Sequence, residues 1–261
     1  MSKLKQALDY AKYRLKSGNE HSIHSPFVFE LYNDVIADTN PFYVYEDIES
    51  IRAKLLLTDM EIAIEDYGAG SSINSAGKRK IKDIAKHTLK SPKYGQLLFR
   101  LVNRFKPKTI VELGTSLGLS TMYLAAANKS TEVITVEGCK NTAKVAQVNF
   151  DKIGFKNISL HQATFDDFLP AYLSKTETLD FVFFDGNHTK EATLNYFNWC
   201  VEKANEQTVF VFDDIYWSEG MTVAWEQIKK HQKVTTTIDL HFVGIAFFNT
   251  HLSKEDFLLK F

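Results

Sequence analysis

The spacing of hydrophobic positions changes near residue 107. Before it, Leu4, Ala7, Leu8, Ala11 and Leu15 recur at three- and four-residue intervals, which predicts a helix over residues 3–16. A polar turn at Ser17-Gly18-Asn19 follows, and Ser25-Pro26 reads as a cap and the first residue of a helix. Helical patterns return over 46–57 and 92–105, the second opening at Pro92. Between them, Asp66-Tyr67-Gly68-Ala69-Gly70-Ser71-Ser72 reads as a glycine turn.

From residue 108 onward, short apolar runs alternate with helical stretches. Thr109–Leu113, Val133–Val136, Ile158–His161, Leu179–Phe184 and Thr208–Phe212 read as strands. Residues 119–127, 140–153, 166–173, 189–203 and 219–230 carry helical periodicity. This alternation predicts an α/β fold, with right-handed crossovers and a parallel sheet covered on both faces. Val234–Leu240 and Phe242–Phe248 leave no room for a crossover, so they predict an antiparallel hairpin. Leu252–Phe261 reads as a short amphipathic helix or a docking tail.

Composition narrows the function classes. The 261 residues carry 31 Lys+Arg against 32 Asp+Glu, so no global charge favours nucleic acid. Lys78-Arg79-Lys80, with Lys82 and Lys86, is a local basic cluster, but no aromatic interleaving accompanies it and a solvated face is the ordinary reading. Two cysteines, Cys139 and Cys200, are too few for a disulfide scaffold or a cysteine-built zinc site. No run approaches the roughly 18 apolar residues of a membrane span, and the first residues lack an apolar signal core. A soluble, cytoplasmic protein is the expectation, and the sequence leaves room for a homodimer.

The most informative stretch is Glu112-Leu-Gly-Thr-Ser-Leu-Gly118. A strand ends in an acid, two glycines frame a loop, and a helix begins near Leu119. Glycine lets backbone approach a ligand, and a helix's first turn offers unpaired N–H groups. The dinucleotide fingerprint G-x-G-x-x-G is not met, which disfavours an NAD(P)-binding enzyme without removing it. The next strand also ends in an acid, Glu137, placed where a carboxylate can accept the hydroxyls of a ribose. Turn glycines and a solvated strand end remain the bland alternative.

These residues resemble the first two motifs of class I S-adenosylmethionine-dependent methyltransferases, and the terminal hairpin is similar to the reversed last strand of that fold. The resemblance spans about 108–249. It implies a Rossmann-like methyltransferase sandwich over 107–261, with a mainly parallel sheet ending in the antiparallel hairpin. Residues 1–106 would be a mainly helical extension or lid, with His21, His24 and the Asp66–Gly70 turn as candidates to reach the acceptor. Glu112, Gly114, Thr115, Ser116 and Gly118 would lie at the methionine part of S-adenosylmethionine. Glu137 and Gly138 would meet the ribose, and Ala163 and Thr164, or Gln162, would flank the adenine.

Three further acids end the fourth and fifth strands: Asp185, Asp213 and Asp214. Carboxylates converging at the carboxyl ends of strands repel unless protons or a hard cation such as Mg²⁺ share the site. Their spacing resembles the catechol-type O-methyltransferases. By that resemblance all three are metal ligands, and Asp185 also adjoins the cofactor. Asp214 departs from the usual Asn, and His188 stands where that family places a lysine. Imidazole titrates near neutrality and suits removal of a proton from a hydroxyl, which makes His188, with Asp185, the catalytic candidate. Against this, Asp213 or Asp214 could cap a helix, Asp185 could bond its own turn, and His188 could serve at a helix start. Tyr216 and Trp217 follow as a candidate acceptor wall. A non-catalytic cofactor-binding module is the remaining alternative.

Overall fold

The computed structural model describes residues 3–65 and 77–261; the Asp66–Gly70 turn and Ser71-Ser72 lie outside the described residues. Helices α1 (Lys3–Lys16), α2 (Pro26–Leu31) and α3 (Tyr43–Leu57) lead to two short strands, β1 (Glu61–Ala63) and β2 (Lys78–Lys80). Helices α4 (Ile81–Thr88) and α5 (Pro92–Phe105) follow. The alternating region runs β3 (Thr109–Leu113), α6 (Leu119–Ala126), β4 (Glu132–Glu137), α7 (Lys140–Ile153), β5 (Ile158–Gln162) and α8 (Phe165–Leu173). It continues with β6 (Leu179–Phe184), α9 (Lys190–Val201), β7 (Ala204–Asp213) and α10 (Glu219–Lys230), and closes with β8 (Thr236–Asp239), β9 (Val243–Phe247) and β10 (Glu255–Leu258).

The chain divides into two compact units, residues 39–168 and residues 1–38 with 169–261. In the contiguous unit, β3 pairs parallel with β4 and β4 with β5. Helices α3, α4, α5, α6 and α7 bury Ile48, Ile51, Ile84, Phe99, Met122, Tyr123 and Phe150 in one apolar cluster. The β1–β2 ladder is antiparallel, and the Ala63 carbonyl at its end accepts from Asn141 Nδ2 (2.9 Å) and Cys139 Sγ (3.7 Å).

In the discontinuous unit, β6 and β7 are parallel, while β9 runs antiparallel to both β7 and β8. The hairpin is therefore as the pattern predicts. Its core is aromatic: Phe184 stacks on Phe212 at 4.5 Å, and Phe210 meets Phe248 edge-on at 4.7 Å. The tail differs from the expected helix. Glu255–Leu258 is a strand, parallel to β8, because an edge backbone there needs partners and the tail supplies them. Helix α1 belongs to the same unit. Among its described side chains Tyr13 is buried, and its hydroxyl donates to the Leu259 carbonyl at 2.6 Å, while Leu8 and Leu15 of the sequence stripe are exposed. Periodicity identified the helix but not the face that packs. The expected Ser25 cap is present: its hydroxyl accepts from the Val28 N–H, with Pro26 in the first turn.

One glycine is fixed by space. A Cβ on Gly95, in α5, would lie 2.3 Å from the Tyr123 ring of α6. Helix propensity favours Ala over Gly by about 1 kcal/mol, but overpacking a core costs about 1–3 kcal/mol. Gly95→Ala is therefore expected to lower the urea midpoint; a raised midpoint would show that Tyr123 yields without cost.

Candidate active site

The sequence candidates fall into two groups. The first lies in residues 39–168. Strand β3 delivers Glu112 into the interior, where it is 0% exposed. Its Oε2 accepts from Thr121 Oγ1 at 2.5 Å and Thr135 Oγ1 at 2.6 Å, and Thr135 in turn pairs with Thr115 Oγ1 at 2.6 Å. Glu112 Oε1 is buried with no hydrogen-bond partner. Burial pushes the Glu112 carboxyl up to about 7, opposed by the neighbouring hydroxyls of Ser120, Thr121 and Thr135. Beyond Leu113 the chain makes a left-handed loop, with φ of 111° at Gly114, 48° at Ser116 and 87° at Gly118. Ser116 is not glycine, so its conformation is strained unless surroundings hold it.

They do. The Ser116 N–H donates to Glu137 Oε2 at 2.8 Å, and the Cys139 N–H donates to Glu137 Oε1 at 2.9 Å. The end of β4 is thereby joined to the loop. Burial raises the Glu137 carboxyl above its ordinary value, and the two N–H groups act against that rise. Each oxygen keeps lone-pair capacity beyond its one backbone donor. Gly138 lies between the two contacts. Ala163 follows β5 and donates its N–H to the Glu137 carbonyl at 3.2 Å. The Thr164 hydroxyl is occupied at the start of α8, donating to Asp167 Oδ2 (2.7 Å) and accepting the Asp167 N–H (3.2 Å).

The second group lies in residues 169–261. Asp185, His188 and Asp213 each offer a ligand atom, all within 4.8 Å of one another, and His188 Nε2 is 3.7 Å from Asp185 Oδ1. Asp214 is outside this trio. Its φ of 54° turns the chain after β7, its N–H donates to the Phe242 carbonyl (2.7 Å), and its carbonyl accepts from Trp217 (2.9 Å). The capping alternatives fall elsewhere: Thr189 caps α9 and Ser218 caps α10 through their hydroxyls. Two carboxylates with one imidazole form an O,O,N donor set that fits a divalent cation. His188 was legible as a base candidate, but its nearness to Asp213 depends on strand pairing that no local motif shows.

Known proteins share sequence and fold with this chain. Residues 111–215 match the family model described as a methyltransferase domain. The resemblance to class I S-adenosylmethionine-dependent methyltransferases is borne out over that stretch. A catechol O-methyltransferase from Niastella koreensis is 31% identical over 128 residues, which is 48% of this chain and 57% of that protein. Another, from Mycobacterium tuberculosis, is 29% identical over 133 residues, covering 50% and 59%. The chain thus spans somewhat over half the length of these curated relatives. The O-methyltransferase from Bacillus cereus, solved in complex with SAH, aligns at a TM-score of 0.58 and 20% identity, over 81% of this chain and 93% of that one. The fold is the Rossmann-like α/β fold of O-methyltransferases. Among the described residues no helix is long and apolar enough to cross a membrane.

The raised Glu112 carboxyl gives a pH signature. The folded protein holds its proton between the ordinary value near 4.5 and about 7, where the unfolded chain has released it. Stability from this group is therefore fully present below 4.5 and lost as pH rises through 7, by up to about 3 kcal/mol. Glu112→Gln should flatten the decline in urea stability across that window; an unchanged slope would place the titration elsewhere.

Proposed function

We propose that this protein is an S-adenosylmethionine-dependent O-methyltransferase acting on a hydroxylated small molecule, with divalent-cation assistance. The observation that carries the reading is the direct bond between the Ser116 N–H and Glu137, which joins a left-handed loop to a carboxylate with acceptor capacity to spare. Two carboxylate oxygens of Glu137 match two ribose hydroxyls. S-adenosylmethionine supplies a sulfonium whose methyl is electrophilic. The catechol O-methyltransferase relatives support a catechol-like acceptor, with adjacent hydroxyls on one ring.

On the acceptor side, His188 takes the hydroxyl proton at Nε2, and Asp185, 3.7 Å from that nitrogen, stabilises the imidazolium that forms. Asp213 and Asp185 would offer carboxylate oxygens to a cation whose charge favours the ionised acceptor oxygen, which leaves the His188 imidazole to act as the base. Nothing in the core composition calls for nucleic acid, and the net charge of −1 supports a small-molecule role.

Isothermal titration with S-adenosylhomocysteine is expected to show one site per chain; no heat at high micromolar ligand would remove the cofactor reading. Asp185→Ala should reduce turnover of a catechol by 100-fold or more, the scale of a lost general-base system, while cofactor affinity stays within about threefold. Equal turnover in the variant would remove Asp185 and the cation from the mechanism.

A further inference from the structure

The loop that holds Ser116 is also gripped from the N-terminal side, within the same unit. Thr88, at the end of α4, places Oγ1 3.2 Å from Ser116 Oγ and 3.0 Å from the Ile84 carbonyl. A hydroxyl has one proton. A carbonyl can only accept, so the Thr88 proton goes to Ile84 in the back-bond common to helical threonines. Ser116 must then be the donor in the serine–threonine pair. Its proton is committed to Thr88, its N–H is committed to Glu137, and what Ser116 Oγ still offers is lone pairs.

The turn carrying Thr88 is fixed in its own right. Arg52 Nη1 donates to the Lys90 carbonyl at 2.7 Å, and Arg52 Nε donates to Glu49 Oε2 at 2.7 Å. Glu49 Oε1 accepts the Tyr123 hydroxyl at 2.8 Å. Tyr123 sits on α6, the helix that the loop opens into. The contacts close a circuit, from α6 through α3 to the turn after α4 and back to the loop at Ser116.

We propose that Thr88 is a positioning residue that sets the proton direction of Ser116, so that the loop presents an acceptor and selects a ligand carrying a cationic amino group. The inference rests on the cofactor reading above: it assigns the amino-acid end of the cofactor to an oriented hydroxyl. A loop serine free to rotate would donate to a carboxylate as readily as it accepts from an ammonium; one tied to Thr88 does not.

The test compares two ligands that share the nucleoside and differ in the amino-acid end, S-adenosylhomocysteine and 5′-methylthioadenosine, by titration calorimetry. Thr88→Val removes the acceptor and keeps the shape; Thr88→Ser restores it. For Thr88→Val, S-adenosylhomocysteine is expected to bind about fivefold more weakly, because an untethered Ser116 hydroxyl keeps its lone pairs and loses its orientation, with 5′-methylthioadenosine within twofold of the native protein. Thr88→Ser should recover the native ratio. Ser116→Ala should show a selective loss of about tenfold, the scale of one hydrogen bond to a charged group, and the double variant should be no worse than Ser116→Ala, because Thr88 acts only through Ser116. Equal weakening of both ligands, or no weakening of S-adenosylhomocysteine, overturns the proposal while leaving the cofactor reading in place. If the native protein binds neither nucleoside, both fail together.

Discussion

A carboxylate removed from water must find donors or give up its charge, and Glu137 meets that requirement with the backbone of Ser116 and Cys139. The rest of the loop follows from this bond. Ser116 aims its N–H at Glu137 from a left-handed conformation, which a serine tolerates at a cost. The glycines on either side remove that cost where no contact repays it. A Cβ on Gly118 would also strike the Phe150 ring at 2.5 Å, so glycine there serves both the turn and the close packing of α7. Contacts within the chain thus hold the loop in shape, which lowers the ordering entropy that binding must overcome.

A similar economy arranges the acids of the other unit. Left-handed Asp214 gives its N–H to Phe242, at the turn of the β8–β9 hairpin, and this fixes where β7 stops. Asp213, the last residue of the strand, then stands with Asp185 and His188. The hairpin turn is itself held from within. Asp239 accepts the His241 N–H at 2.8 Å and the Tyr216 hydroxyl, and its carboxyl is raised by burial. His241, with φ of 70°, packs among Tyr10, Tyr13 and Tyr216. The reversed strand does more than finish the sheet: it sets the end point of the neighbour that bears the acid.

Much of this was legible in the chain. The parallel strands, the helices between them, the hairpin and the joined pair of Gly114–Gly118 and Glu137 all follow from periodicity and motif, because each depends on residues close in sequence. What stayed hidden depends on distant partners. Lys78-Arg79-Lys80 gives no strand signal, yet it pairs with Glu61–Ala63 in register. The tail after Leu252 has helical spacing and becomes a strand because β8 offers an open edge. Asp214 reads as a third ligand by its place after Asp213, and only its backbone turn sets it apart. Thr88 is one threonine among polar residues; nothing local marks it as the neighbour of Ser116.

Helix α1 and the tail are stitched together. The Gly18 N–H donates to the Leu258 carbonyl, the Lys260 N–H to the Gly18 carbonyl, and the Phe261 N–H to the Tyr13 hydroxyl. Residues 1–38 leave the ribosome well before residues 169–261 exist, a wait of roughly 10 s at ordinary elongation rates. During synthesis the contiguous unit can gather its own core, while the first helices stay without partners until the final strands are made. Assembly therefore proceeds from the middle of the chain outward, and the half that carries the acids is the last to take shape.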